Sequence, residues 1–376
     1  MSAPGKAGPP PSRFVRRLPL LALAVVSLLA GLWAGLMRLG IDMPRGSIDL
    51  ALLHGPLMVL GFLGTQIGLE RAVALRRRWP YLIPAGAGAG SLWLLLGLPQ
   101  EVGQAMLAAA GILLVFVFVV VDRIERSWHN TIMGLGALAW AIGATTWLLG
   151  EPMIGVVPWL AAFLILTIVG ERLELSRMAR PPGQSRALLI TGVFVFLAGL
   201  VVAWPYPEAG IRIAGVGLLA QVIWLVRCDI ARRTIKMKGA TRYMASALLA
   251  GYAWLAIAAL IWIFASPLQG GNLAEHSYDL MLHTVFVGFV FSMIFAHAPV
   301  IVPAVLGVKL PFRTSFYVPL VLLHFGMVLR LIGAAGDNTH LWRCGGVLNE
   351  LAIVLYLALA AASAVRARGK STLFSS

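Results

Sequence analysis

Residues 280–305 read LMLHTVFVGFVFSMIFAHAPVIVPAV, an unbroken run without Asp, Glu, Lys or Arg. At about 1.5 Å of rise per residue, a helix of this length more than crosses a hydrocarbon core of roughly 30 Å. Only His283 and His297 interrupt its apolar character. Two shorter stretches repeat the theme: LALLHGPLMVLGFLG over 50–64 carries His54, and VPLVLLHFGMVLR over 318–330 carries His324. An ionisable side chain is costly in hydrocarbon and is expected to face the bundle interior and a partner. Four of the seven histidines therefore ask for one explanation.

The rest of the chain is of the same kind. Of 376 residues, 60% are hydrophobic and 12% charged, and the mean hydropathy is +0.87. Soluble domains carry about 25% charged residues. The sequence predicts an all-α, polytopic integral membrane protein of about twelve transmembrane helices, the third of them over 80–98. The short connections leave no room for a soluble domain. Residues 1–17 read as a disordered basic tail, 18–366 as one twelve-helix domain and 367–376 as a second tail.

A net charge of +15 looks at first like a nucleic-acid footprint. The basic residues instead alternate with the spans: 25 of the 30 fall in the tails and on one set of loops. Only Arg38, Arg45, Arg212, Arg330 and Arg343 lie on the other side. By the positive-inside rule both termini are cytoplasmic, and the partner is the lipid bilayer, not nucleic acid. Cys228 and Cys344 then face opposite compartments and cannot pair. Neither lies in a CxxC or CxxCH pattern, which excludes covalent haem attachment and thiolate zinc sites.

An internal echo runs through the chain. Aligned on Phe62, Phe163 and Phe289, three spans each place an ionisable residue eight positions later: Glu70, Glu171 and His297. The intervals suggest three related units of four helices, although helices also end naturally in ionisable residues near the interface.

Depth decides which histidines can meet. His54 lies five residues past Asp49 and His283 four past Asp279 on spans that enter from the outer side, while His324 is six before Arg330 on a returning span. All three therefore lie in an outer layer, where three imidazoles could bind one metal ion, or two could clamp a haem axially with the third nearby. Asp279, one turn before His283, is placed to orient that ring from behind. His54 has a plainer alternative, donation to a neighbouring carbonyl across a close helix contact next to Gly55. His297 sits about 21 Å deeper on nearly the same face. It reads either as a further cofactor ligand or as an interfacial residue hydrogen-bonded near the helix end. His129, His276 and His340 read as solvated. Among the carboxylates, Glu350 within the last span needs a partner, and Arg330 is the expected one, as an intramembrane ion pair. Glu70–Arg71 and Glu171–Arg172 read as local pairs at cytoplasmic helix ends.

The segment HTVFVGFVFSMIF (283–295), followed by a helix ending VLRLIG (328–333), resembles the carboxy-terminal region of NnrS proteins. The upstream HGPLMVLGF (54–62) is similar both to their early histidine-bearing span and to the HG-x-x-M element of haem–copper oxidase subunit I. Departures accompany the likeness. NnrS-like early spans usually carry a second histidine near the first, and the oxidases have adjacent histidines and a His-x-His pair; neither occurs here. The resemblance implies a multi-pass protein of a bacterial inner (cell) membrane that binds haem b, copper or both. His54, His283 and His324 would be ligands, with an electron donor or a small gas as partner in respiratory or nitric-oxide metabolism. A secondary transporter of a small solute and a non-catalytic assembly or sensory subunit are the alternative classes.

Overall fold

The computed structural model describes residues 13–44, 46, 48–177, 183–265 and 272–373. Twelve helical segments follow one another: α1 (Arg13–Arg38), α2 (Leu50–Leu75), α3 (Leu82–Leu95), α4 (Gln100–Ile124), α5 (Trp128–Leu148), α6 (Met153–Ser176), α7 (Gly183–Val202), α8 (Pro207–Cys228), α9 (Gly239–Phe264), α10 (Ser277–Val305), α11 (Tyr317–Ala335) and α12 (Thr339–Leu373). There is no strand among the described residues. Eleven are long and apolar enough to cross a membrane. The exception is α3, expected over 80–98, whose 14 residues follow a single tight turn at Trp79–Tyr81. At about 21 Å it is shorter than the acyl core is thick. The tail boundaries also move. Residues 1–12 lie outside the described residues, but from Arg13 the chain is already helical, and the last helix continues to Leu373.

Local sequence sets the helix ends. Asp49 accepts from the Ala51 amide at the start of α2, and Ser127 from the Asn130 amide at the start of α5. Pro99, Pro152 and Pro207 stand where a missing N–H costs nothing. Gly307 closes α10 in the left-handed conformation, at φ 67°. Inside α2, Pro56 cannot donate to the ladder, and Leu57–Gly64 runs on with wide i→i+5 hydrogen bonds. Thr284–Phe291 of α10 does the same directly after His283, without a proline.

Packing recurs at intervals of four helices. In each quartet the third and fourth helices form a tight hairpin, α3 with α4, α7 with α8 and α11 with α12. Each hairpin crosses at a glycine pair: Gly90 faces the Gly103 carbonyl, Gly192 that of Gly217 and Gly326 that of Gly345, where a Cβ would come within about 3 Å of the opposite backbone. Fourth helices pack on the first helix of the following quartet, α4 on α5 and α8 on α9, and α12 touches α1. The second helices, α2, α6 and α10, fill the middle. α6 is buried on nearly every side from Val156 to Val169, as expected of a helix that is apolar all round.

One prediction tests this packing and another the sidedness. Gly217→Val would overlap the Phe196 backbone and should destabilise the detergent-solubilised protein by roughly 1–3 kcal/mol; an unchanged unfolding midpoint contradicts the close crossing. Cys344 is exposed and unpaired at the start of α12, so a membrane-impermeant maleimide added to intact cells should label it and spare Cys228.

Candidate functional site

Two polar layers interrupt the apolar core, one in each half of the central helices. The outer layer gathers His54 of α2, Asp279 and His283 of α10, and Arg330 of α11. The His54 and His283 rings lie nearly parallel, 27° apart, with centroids separated by 6.3 Å. One level deeper the same two helices bring Phe62 against Phe291 at 6.5 Å.

Both imidazoles are held from behind. His54 Nδ1 is 2.8 Å from the Gly31 carbonyl of α1. His283 Nδ1 is 2.8 Å from the Asp279 carbonyl and 3.0 Å from the Asp279 carboxylate. A ring that donates from Nδ1 to a carbonyl keeps its lone pair on Nε2, the arrangement usual for a metal-ligating histidine, although at His283 that lone pair already faces an Arg330 N–H donor at 3.5 Å. The close helix contact read at His54 does exist, but Gly55 is not its cause, since a Cβ there would meet nothing within 4 Å. Gly31 and Gly35 of α1 make the room. A side chain at Gly31 would strike Met58 Sδ, and one at Gly35 would strike Glu350 Oε1 and come within 3.1 Å of His54 Cε1.

The expected ion pair is replaced. Arg330 does not pair with Glu350; it grips Asp279 with two hydrogen bonds, Nε to Oδ2 at 2.8 Å and an Nη to Oδ1 at 2.6 Å. Trp342 Nε1 adds a third donor to Oδ2 at 2.9 Å and stacks beneath the guanidinium at 5.5 Å. The planar guanidinium fork matches the carboxylate edge-on, which makes this a strong and directional pair. Arg330 also lies 3.5 Å from His283 Nε2.

The third imidazole of the expected outer centre goes elsewhere. His324 Nδ1 accepts from Trp254 Nε1 at 2.9 Å, and its Nε2 is buried without a partner. Indole N–H only donates, so a neutral His324 carries its proton on Nε2. Ligation through Nε2 needs the opposite tautomer. Among the described residues no three His, Cys, Asp or Glu side chains gather as a metal site, so the three-histidine centre is not formed.

The inner layer is richer than the sequence suggested. Arg71 of α2 bridges Glu70 at 3.2 Å and Glu171 of α6. The expected local Glu171–Arg172 pair is absent: Glu171 is held by Arg71, and Arg172 turns to Asp229 after α8. That pair is bidentate, at 2.6 and 2.9 Å, with Arg172 only 3% and Asp229 0% exposed. Asp229 Oδ1 also accepts the Ala231 amide at 2.6 Å. His297 places Nδ1 2.7 Å from the Met293 carbonyl and Nε2 3.3 Å from Arg172. Glu70, Glu171 and His297, the three aligned positions of the internal echo, line one cavity of about 160 Å³. Of the remaining histidines, His129 is buried, 3.1 Å from Ser127 Oγ, not solvated as expected. His340 is exposed, and the His276 side chain lies outside the described residues.

Sequence reasoning missed Asp229, Trp254 and Trp342. Asp229 sits in a basic loop, RCDIARR, where it reads as a solvated residue; only its position after α8, level with Arg172, gives it a role.

Residues 17–365 match the family model described as a domain of unknown function, DUF8744, and the chain belongs to that family. No curated protein is significantly similar to it, and no solved structure is either. The family carries no assigned activity, so the NnrS-like reading of the histidines rests on the residues themselves.

The choice of Asp279 over Glu350 by Arg330 has a direct test. Arg330→Met leaves Asp279 buried and unpaired and should cost roughly 3–5 kcal/mol, read as a fall in the unfolding midpoint, whereas Glu350→Gln should cost under about 1 kcal/mol. Comparable losses in the two variants would restore the Arg330–Glu350 pairing.

Proposed function

We propose that this multi-pass membrane protein holds one transition-metal ion between His54 and His283 and acts in respiratory or nitric-oxide-related redox chemistry. The observation that carries the reading is the facing pair of imidazoles, each with Nδ1 pinned to a carbonyl. The centroids stand 6.3 Å apart, a separation that one ion at about 2.0 Å from each ring can span with both Nε2 atoms turned toward it. The donor set favours copper over a haem. Imidazole suits copper, and two such donors are enough for its reduced state.

The chain's own residues have separable parts. Gly31 and Asp279 fix the tautomers and ring directions of His54 and His283. Asp279 also neutralises Arg330, so the guanidinium near His283 does not confront the site as a bare cation. When bound, the ion would supply one-electron chemistry or a position for a small gas ligand.

The test is metal analysis with visible spectroscopy on protein purified from copper- and haem-replete cells. The expected result is about one copper per chain, lost in His54→Ala and His283→Ala and kept in His324→Ala. Folded wild-type protein free of copper contradicts the reading, and a Soret band that disappears with His54 would assign iron porphyrin instead.

A further inference from the structure

The inner cavity is unlike the outer histidine pair. Aliphatic side chains make its walls, among them Leu21 of α1, Leu164 and Ile168 of α6, and Ile294 and Val302 of α10. Its polar end presents Glu70, Glu171 and His297. The two carboxylates are set as acceptors, and Gln66, also in the lining, adds a side-chain amide that can donate. Arg71 donates to both carboxylates, which leaves each with further lone pairs. Thr167, also in the lining, has already given its hydroxyl proton to the Phe163 carbonyl. A ligand that satisfies this end must donate hydrogen bonds.

Size and access narrow the ligand further. A dry, Leu- and Ile-lined cavity of about 150 Å³ accommodates a benzene ring, so a volume near 160 Å³ holds one six-membered ring and not a haem. The mouth lies between α1 and α10, which touch only sparsely, and Leu21, Ile301 and Val302 are half-exposed there. On the cytoplasmic side of this mouth, Arg17 of α1 donates to the Val305 carbonyl of α10 and joins the two helices. The opening is therefore lateral, toward lipid.

We propose that this cavity binds the ring of a lipid-soluble quinol, with its hydroxyls donating to Glu70 and Glu171 and its tail leaving between α1 and α10 into the bilayer. The assignment stands on the cavity and does not depend on a metal at His54 and His283. Quinol, not quinone, is the favoured form, because its hydroxyls can satisfy both carboxylates, whereas a quinone has only carbonyl acceptors and would leave Glu70 and Glu171 unmet even where Gln66 donates to it.

Decylubiquinol and decylubiquinone, titrated anaerobically against the full chain in lipid nanodiscs, test the proposal. Saturable quinol binding at least about tenfold tighter than quinone binding is expected. Glu70→Gln should weaken the quinol preferentially, and Ile168→Trp, which fills the cavity from a half-exposed position, should abolish binding of both. His54→Ala should bind as the wild type does, which keeps this result separate from the metal reading. Equal affinity for the two forms, binding that survives Ile168→Trp in folded protein, or displacement by oleate irrespective of Glu70 would each overturn the proposal and point to an acyl-chain pocket.

Discussion

Two arginine–carboxylate pairs organise the polar interior of this bundle: Arg330 with Asp279 in the outer half, and Arg172 with Asp229 in the inner half. The first joins the successive helices α10 and α11, the second joins α6 to the end of α8, and each is bidentate. A charge in hydrocarbon has no water to fall back on, so either half of such a pair is strongly unfavourable alone. The imidazoles follow from these pairs. His283 leans on the carboxylate that Arg330 holds, and His297 on the guanidinium that Asp229 holds. The two layers thus share one construction, a fixed arginine–carboxylate pair with a histidine of α10 against it, fourteen residues apart on one helix.

Much of the fold was legible because the bilayer reduces choices. Uninterrupted apolar runs and the alternation of Lys and Arg locate twelve segments without reference to tertiary contacts. α3 was harder. Leu82–Leu95 looks the same in hydropathy as its neighbours, and its shortness depends on where Pro80 and Gly97 let the helix begin and stop. The echo of Phe62, Phe163 and Phe289 proved informative about place, since the residues eight positions later line one cavity.

The site was legible in its elements and not in its pairings. That His54 and His283 share a level followed from counting residues below the outer surface, and their rings do meet. The partner of Arg330 could not be counted in this way, because Asp279 and Glu350 lie at comparable depth on different helices and only rotation about the helix axis separates them. The same holds for His324, whose depth was read in the outer layer but whose ring faces Trp254. Rotational phase is set by packing, here by the glycines of α1 that admit His54 and by the glycine crossing of α11 and α12 that aims Arg330.

The central functional claim is that two imidazoles, and not three, share one ion in the outer half. X-ray absorption at the copper edge on copper-loaded protein addresses it most directly. The account predicts two imidazole nitrogens at about 2.0 Å, with no thiolate scatterer. Three or more imidazoles in the first coordination sphere, or a sulfur at thiolate distance, would contradict it.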